Sequence, residues 1–134
     1  MEVWAPPAID ILCLLVTCCP AEILDEKFEY FVEFYHKNLI TTLTTLHYSM
    51  EKIPTLGSLY NDLKERGFYG AMLMIDALPT IKLDGKEFTD DNFFNPNSAE
   101  NDKFKKILFE NPIYLNILQH LLPFFEKRGY LDIK

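Results

Sequence analysis

The densest hydrophobic stretch lies near the start of the chain. From Ile9 to Cys19 all residues but two are apolar, and two prolines precede the run. Proline suits the first turn of a helix, where its missing N–H leaves no bond unmade. Asp10 falls in that turn, where the helix dipole favours a negative charge. The run predicts a central helix over residues 8–19. Because a helix that is apolar all round has to be covered on all sides, we expect something to pack around it.

A second pattern repeats every three or four positions and places charged side chains on the opposite face. It predicts a long amphipathic helix over residues 21–47. The apolar positions of this pattern are Leu24, Phe28, Phe31, Val32, Tyr35, Leu39, Leu43 and Leu46.

Two further helical regions, residues 55–82 and residues 98–129, are marked by their terminal signals. Thr55 is a suitable N-cap for the first. Asn111, followed by a proline, is a suitable N-cap within the second. Gly67 follows basic residues and predicts the end of a helix.

The remaining signals concern the end of the chain and the segment between these regions. Gly129 also follows basic residues and predicts a helix end, and Pro123 predicts a kink. Residues 83–97 predict an acidic loop. Its carboxylates lack the spacing of a calcium-binding loop, so a solvated loop is preferred to a cation site.

These patterns together predict an all-α fold of about six helices. No segment alternates polar and apolar residues with the period of two that strands require. The 134 residues suit one domain, residues 1–134, with a real hydrophobic core.

Charge and cysteine content exclude several functional classes. The net charge is −7 and no run of Lys or Arg occurs, which argues against binding to nucleic acid. The three cysteines form neither a disulfide framework nor a zinc pattern, so we expect a cytoplasmic protein. The apolar run is shorter than the roughly 20 residues that span a membrane. Its leading segment carries Glu2 and no basic residue, unlike a signal peptide.

The chain contains no recognisable catalytic motif. His36, His47 and His120 lack the partners of a metal-binding motif, and they are interpreted as surface or packed histidines. Neither a phosphate-binding glycine loop nor a nucleophile elbow is present. The residues alone therefore predict no catalytic, cofactor-binding or metal-binding site.

Several segments nevertheless resemble a known family in their order and spacing. The opening stretch resembles the segment that follows the metal-binding Asp-Phe-Gln of the insect ecdysteroid kinase-like (CHK kinase-like) proteins, relatives of choline and aminoglycoside kinases. The similar segments are Trp4 to Leu12, Phe31 to Leu39, Leu63 to Gly70 and Arg128 to Asp132.

The resemblance implies the helical C-terminal part of the large lobe of a kinase-like fold. Full-length members use ATP and Mg²⁺ and carry a nucleotide-binding lobe, a catalytic loop of the form H-x-D-x-x-x-x-N and a metal-binding Asp before this region. Phosphoryl transfer depends on those groups, and none can be assigned to this chain. Asp10 matches the acid that accepts hydrogen bonds from the catalytic-loop backbone and so supports that loop.

The hypothesis is a C-terminal fragment of an ecdysteroid or small-molecule kinase-like phosphotransferase, inactive alone. The alternatives are a non-enzymatic helical binding or interaction module and, third, a small secreted carrier. The expected partners are the missing N-terminal lobe or a second copy bound through the central helix. Either partner requires an exposed or loosely covered face along residues 8–19.

Overall fold

The computed structural model describes residues 6–83 and 99–132, so the predicted acidic loop lies outside the described residues except at Leu83. The described parts contain seven α-helices and no strand, which confirms the all-α prediction. Short 3₁₀ turns at Ala21–Ile23 and Met50–Lys52 follow the first and second helices. The helices are α1 (Pro7–Cys18), α2 (Leu24–Thr45), α3 (Leu56–Glu65), α4 (Gly67–Asp76), α5 (Leu78–Ile81), α6 (Ala99–Phe109) and α7 (Pro112–Lys127).

Two helices begin at the capping residues that the sequence predicts. The Thr55 hydroxyl accepts a hydrogen bond from the backbone N–H of Ser58 at 3.1 Å, at the start of α3. The Asn111 side chain accepts one from the N–H of Ile113 at 2.9 Å, at the start of α7. Both caps satisfy N–H groups that have no partner within the helix.

The seventh helix arises from a break after α4. The sequence suggests one continuous apolar helix up to residue 78, but α4 ends at Asp76 and α5 begins at Leu78. Pro79 has no N–H to donate to the carbonyl of residue 75, and its ring crowds that carbonyl. The chain therefore restarts as a separate short helix.

Gly129 ends α7 as predicted, in the left-handed conformation with φ 68°. The N–H of Tyr130 donates to the carbonyl of Phe125 at 2.9 Å, and that of Gly129 donates to Glu126 at 3.0 Å. This is the Schellman arrangement, with its usual hydrophobic contact between Tyr130 and Phe125. Pro123 lies inside α7, which continues to Lys127.

The core forms where α1 packs on α4, and then on α3 and α5. Tyr114 of α7 joins this core and donates its hydroxyl to the Met74 carbonyl of α4 at 3.3 Å. Lys82 reaches back to the Thr17 carbonyl at the C-terminal end of α1, at 3.4 Å, where a cation is favoured by the helix dipole. The fully buried side chains include Leu12, Leu24, Val32, Leu59, Leu63, Leu78, Leu121 and Phe125.

The first helix keeps one uncovered side, which agrees with the exposed face expected along residues 8–19. Five residues of α1 are buried, but Leu14 is 55% exposed, and Asp10 and Cys18 are also exposed. Helix α2 is not among the neighbours that pack extensively on α1. One side of α1 therefore remains open to solvent.

Gly67 has a different role from the one that the sequence suggests. The preceding helix does end at Glu65, but Gly67 begins α4, is buried, and has no positive φ. A Cβ atom on Gly67 would lie 2.3 Å from the Tyr130 ring, and one on Gly70 would lie 3.3 Å from Phe125. These two glycines let the aromatic residues at the end of α7 approach the α4 backbone.

Arg128 joins the end of α7 to α2. Its guanidinium lies 4.0 Å from the centre of the Phe28 ring and 4.6 Å from that of Phe124, which is cation–π geometry. Its Nη2 donates to the Glu29 carboxylate at 3.1 Å. Burial raises the pKa of the neighbouring Tyr130 hydroxyl to about 12, so this ring stays neutral within the cluster at physiological pH.

We expect Gly67→Ala to destabilise the fold by about 1–3 kcal/mol, because the added methyl group overpacks the contact with Tyr130. Urea denaturation followed by circular dichroism measures this change. Gly57→Ala is the matched control, since a Cβ there meets only the Thr55 hydroxyl at 4.0 Å. The control should stabilise the fold by about 0.4–1 kcal/mol, and equal effects of the two substitutions would contradict the assigned contact.

Candidate functional site

A groove with a volume of about 530 Å³ lies between α1 and α2, on the open side of α1. The 3₁₀ turn Ala21–Ile23 joins the two helices. Because α1 directs its buried face toward α3, α4 and α5, the space beside α2 is left partly unfilled. The lining residues are Asp10, Ile11, Leu14, Leu15, Cys18, Cys19, Phe31, Phe34, Tyr35 and Asn38.

Polar groups lie at one end of this mostly apolar groove. Asp10 and Asn38 line it together with Tyr35. Burial raises the pKa of Tyr35, and the negative charge of Asp10 raises it further. Asp10 is thus close enough to affect the Tyr35 hydroxyl electrostatically, although its own carboxylate remains exposed to solvent.

Two thiols, Cys18 and Cys19, also line the groove. All three cysteines are free, and Cys18 is exposed. Burial raises the pKa of the Cys19 thiol, and the neighbouring Cys18 raises it further, so Cys19 remains a thiol at neutral pH. The Thr17 hydroxyl donates to the Cys13 carbonyl at 2.7 Å within α1.

The histidines do not contribute to the groove. His36 lies on α2, and its Nε2 is 2.9 Å from the Pro54 carbonyl, which links α2 to the segment before α3. His47 follows the end of α2 with φ 55°, and His120 is exposed on α7. Within residues 6–83 and 99–132, no three side chains of the metal-binding types are grouped to hold an ion.

The length and apolar character of the helices decide whether any of them could span a membrane. None of the helices in the described parts of the chain combines the length and the apolar character needed to cross a bilayer. The longest, α2, has 22 residues and carries charged side chains along its exposed face.

The groove lies within the part of the chain that is similar to a known protein family. Residues 1–48 match the ecdysteroid kinase-like family. This range contains α1, α2 and all ten groove residues. No curated protein and no solved structure matches the chain.

The ecdysteroid kinase-like match confirms the family resemblance over its first two segments, Trp4 to Leu12 and Phe31 to Leu39. The later two, Leu63 to Gly70 and Arg128 to Asp132, lie outside the matched range, so their resemblance stays a prediction. Asp10 lies within the matched range, on the first turn of α1.

The residues that the sequence analysis missed are the exposed apolar ones along the groove. The sequence predicts an exposed face along residues 8–19 without identifying Leu14, and Phe34 is not among the predicted apolar positions of the long helix. The available signal was the position of Phe34 four residues after Tyr30, on a face of α2 that otherwise carries charges.

We expect Asp10→Asn to lower the pKa of Tyr35, because the substitution removes the negative charge that disfavours the phenolate. The pKa should remain above the ordinary value of a tyrosine, since burial is the larger cause of the shift. NMR titration of tyrosine ring carbons measures this. Glu33→Gln is the control, because Glu33 raises the pKa of Tyr60 instead. A Tyr35 titration that does not change in Asp10→Asn would refute the proximity.

Proposed function

We propose that the chain forms part of the helical lobe of a kinase-like phosphotransferase that acts on small molecules, and that it has no phosphotransferase activity alone. The observation that carries this proposal is the ecdysteroid kinase-like match of residues 1–48 in a sequence without the catalytic-loop pattern. The residues two positions after the three histidines are Asn38, Ser49 and Leu122, so no H-x-D-x-x-x-x-N is formed.

In this proposal Asp10 is a positioning residue. Its carboxylate is exposed on the first turn of α1, at the polar end of the groove. A carboxylate in that position can accept hydrogen bonds from the backbone N–H groups of a catalytic loop supplied by the rest of the enzyme. ATP and Mg²⁺ would be bound by that other part. The three free cysteines favour the reducing cytoplasm as its location.

Activity and binding measurements on the purified chain test the proposal directly. We expect no turnover of ATP and no saturable binding of MgATP by isothermal titration calorimetry, because the groups that hold the phosphates and the metal ion are missing. Turnover that scales with the chain and co-purifies with it through two different columns would refute the inactivity.

Mapping the transcript tests the proposed origin of the chain independently. We expect an in-frame coding sequence upstream of Met1 that contains a catalytic loop with the H-x-D-x-x-x-x-N pattern. A mature messenger RNA whose open reading frame starts at Met1 would contradict the fragment hypothesis, whatever the activity of the chain.

A second candidate function is a binding module without enzymatic activity, and the apolar groove between α1 and α2 favours it. Its volume of about 530 Å³ is within the usual range of small-molecule sites, roughly 300–1,000 Å³. Such a module would bind a small apolar ligand against Leu14 and Phe31 without any additional polypeptide.

Fluorescence of the neutral probe N-phenyl-1-naphthylamine distinguishes this second candidate. If the groove binds ligands, Leu14→Arg should reduce probe binding by at least about tenfold, because it places a charge at the apolar wall. Ile75→Arg, at a comparably exposed position on α4, is the matched control. Absence of probe binding, or equal loss in both variants, would argue against a ligand-binding module.

A further inference from the structure

The outer face of α2 carries an aromatic cluster exposed to solvent. Tyr30 is 59% exposed and Phe34 is 57% exposed. Their rings stack on each other, with centroids 6.0 Å apart and planes inclined by 26°. Leu14, exposed on α1, faces the same groove as Phe34. A cluster of large apolar side chains that stays in water is typical of an interaction surface.

We propose that this surface, defined by Leu14, Tyr30 and Phe34, binds the same surface of a second copy of the chain. The two α2 helices run in opposite directions, related by a two-fold axis at the level of Val32. A two-fold dimer uses one surface twice, so each residue of the surface needs a partner elsewhere in the same surface. This proposal does not rest on the proposed enzymatic function, but the dimer and the lobe contact would use the same side of α1 and would therefore exclude each other.

The aromatic residues satisfy this condition. Tyr30 and Phe34 each lie two residues from Val32, on opposite sides of it. In the antiparallel arrangement, Tyr30 of one copy is therefore level with Phe34 of the other. Aromatic pairs of this kind contribute beyond the area that they bury. The arrangement also brings the two Leu14 side chains toward the axis, because Leu14 and Phe34 line the same groove.

The charges along α2 are complementary in the antiparallel direction, in which both Glu26 and Lys37 gain a partner. With 100° per residue, Glu26 and Lys37 project on the same flank of the aromatic face. The antiparallel register places Glu26 of one copy within one residue, about 1.5 Å along the helix, of Lys37 of the other. Two Glu–Lys pairs then form by symmetry. In a parallel two-fold arrangement the flanks exchange, so Glu26 would lie near Lys27 of the other copy and Lys37 would meet no acidic side chain.

The existing ion pair between Glu26 and Lys27 does not prevent the proposed contact between Glu26 and Lys37 of the second copy. Its carboxylate contacts Lys27 at 2.6 Å, and both side chains are at least half exposed. Exchanging one exposed partner for another changes the free energy little, because such pairs contribute only about 0–1 kcal/mol. Lys27 lies on the other flank of α2, so it does not repel Lys37 of the second copy.

Sedimentation equilibrium of the whole chain, with reductant to prevent disulfides through Cys18, tests the proposal. We expect a reversible monomer–dimer equilibrium. Phe34→Glu should raise the dissociation constant at least about tenfold, because it buries a charge at the aromatic contact. Phe68→Glu is the matched control: Phe68 is also 57% exposed, but it lies on α4. The control should change the constant by no more than about twofold.

A charge exchange tests the register. Lys37→Glu should weaken the dimer, and adding Glu26→Lys should restore it, because the double variant recreates both pairs with reversed signs. Circular dichroism of each variant checks that the helices are intact. A monomer at all concentrations, an oligomer other than a dimer, equal weakening by Phe34→Glu and Phe68→Glu, or no rescue by the double variant would overturn the proposal.

Discussion

The close approach of the α4 backbone to the aromatic residues at the end of α7 determines how the helices are arranged. Gly67 and Gly70 lie on one face of α4, and neither has a side chain that would hold the rings of Tyr130 and Phe125 away. Leu12 of α1 contacts the same face at Gly70. Three helices thus meet at two residues without side chains, and the packing density of a protein interior is reached only because both are glycine.

That arrangement has a consequence for the other side of α1. The helix buries five residues and packs mainly on α4, α3 and α5, so it packs less extensively on α2. Helix α2 is instead held at its first turns, where Phe28 and Glu29 contact Arg128. Leu14 and Phe34 remain beside an open groove. Part of the apolar surface of α1 is therefore not covered by the described helices. Both the proposed lobe contact and the proposed dimer would bury this exposed surface.

Local features could be predicted well from the sequence, because they depend on neighbouring residues. The caps at Thr55 and Asn111, the helical ending at Gly129 and the all-α class follow from rules of this kind. The role of Gly67 could not, since Tyr130 lies 63 positions further along the chain. A basic residue followed by glycine occurs at both Gly67 and Gly129. The sequence pattern does not distinguish the glycine that adopts a positive φ from the glycine that makes room for an aromatic ring.

The candidate site was also hard to predict, because it depends on the relative positions of two helices. Asp10 lies on the first turn of α1, as the sequence predicts, whereas its supporting role comes only from the family resemblance and stays a prediction. The groove itself depends on how far apart α1 and α2 lie, which periodicity does not report. The sequence does not identify Leu14 as the exposed residue, because an apolar run indicates burial but does not indicate which element provides it.

The contacts of Arg128 and Lys127 with α2 affect the order in which the chain can fold. Lys127 binds Asp25, and Arg128 binds Glu29, across about one hundred intervening residues. During synthesis the ribosome releases α1 and α2 before α7 exists, so Phe28 can contact Tyr60 of α3 before it contacts Phe124 and Arg128. Non-local contacts of this kind slow folding, and the nascent chain keeps apolar surface exposed, and so open to aggregation, until its last aromatic residues are made.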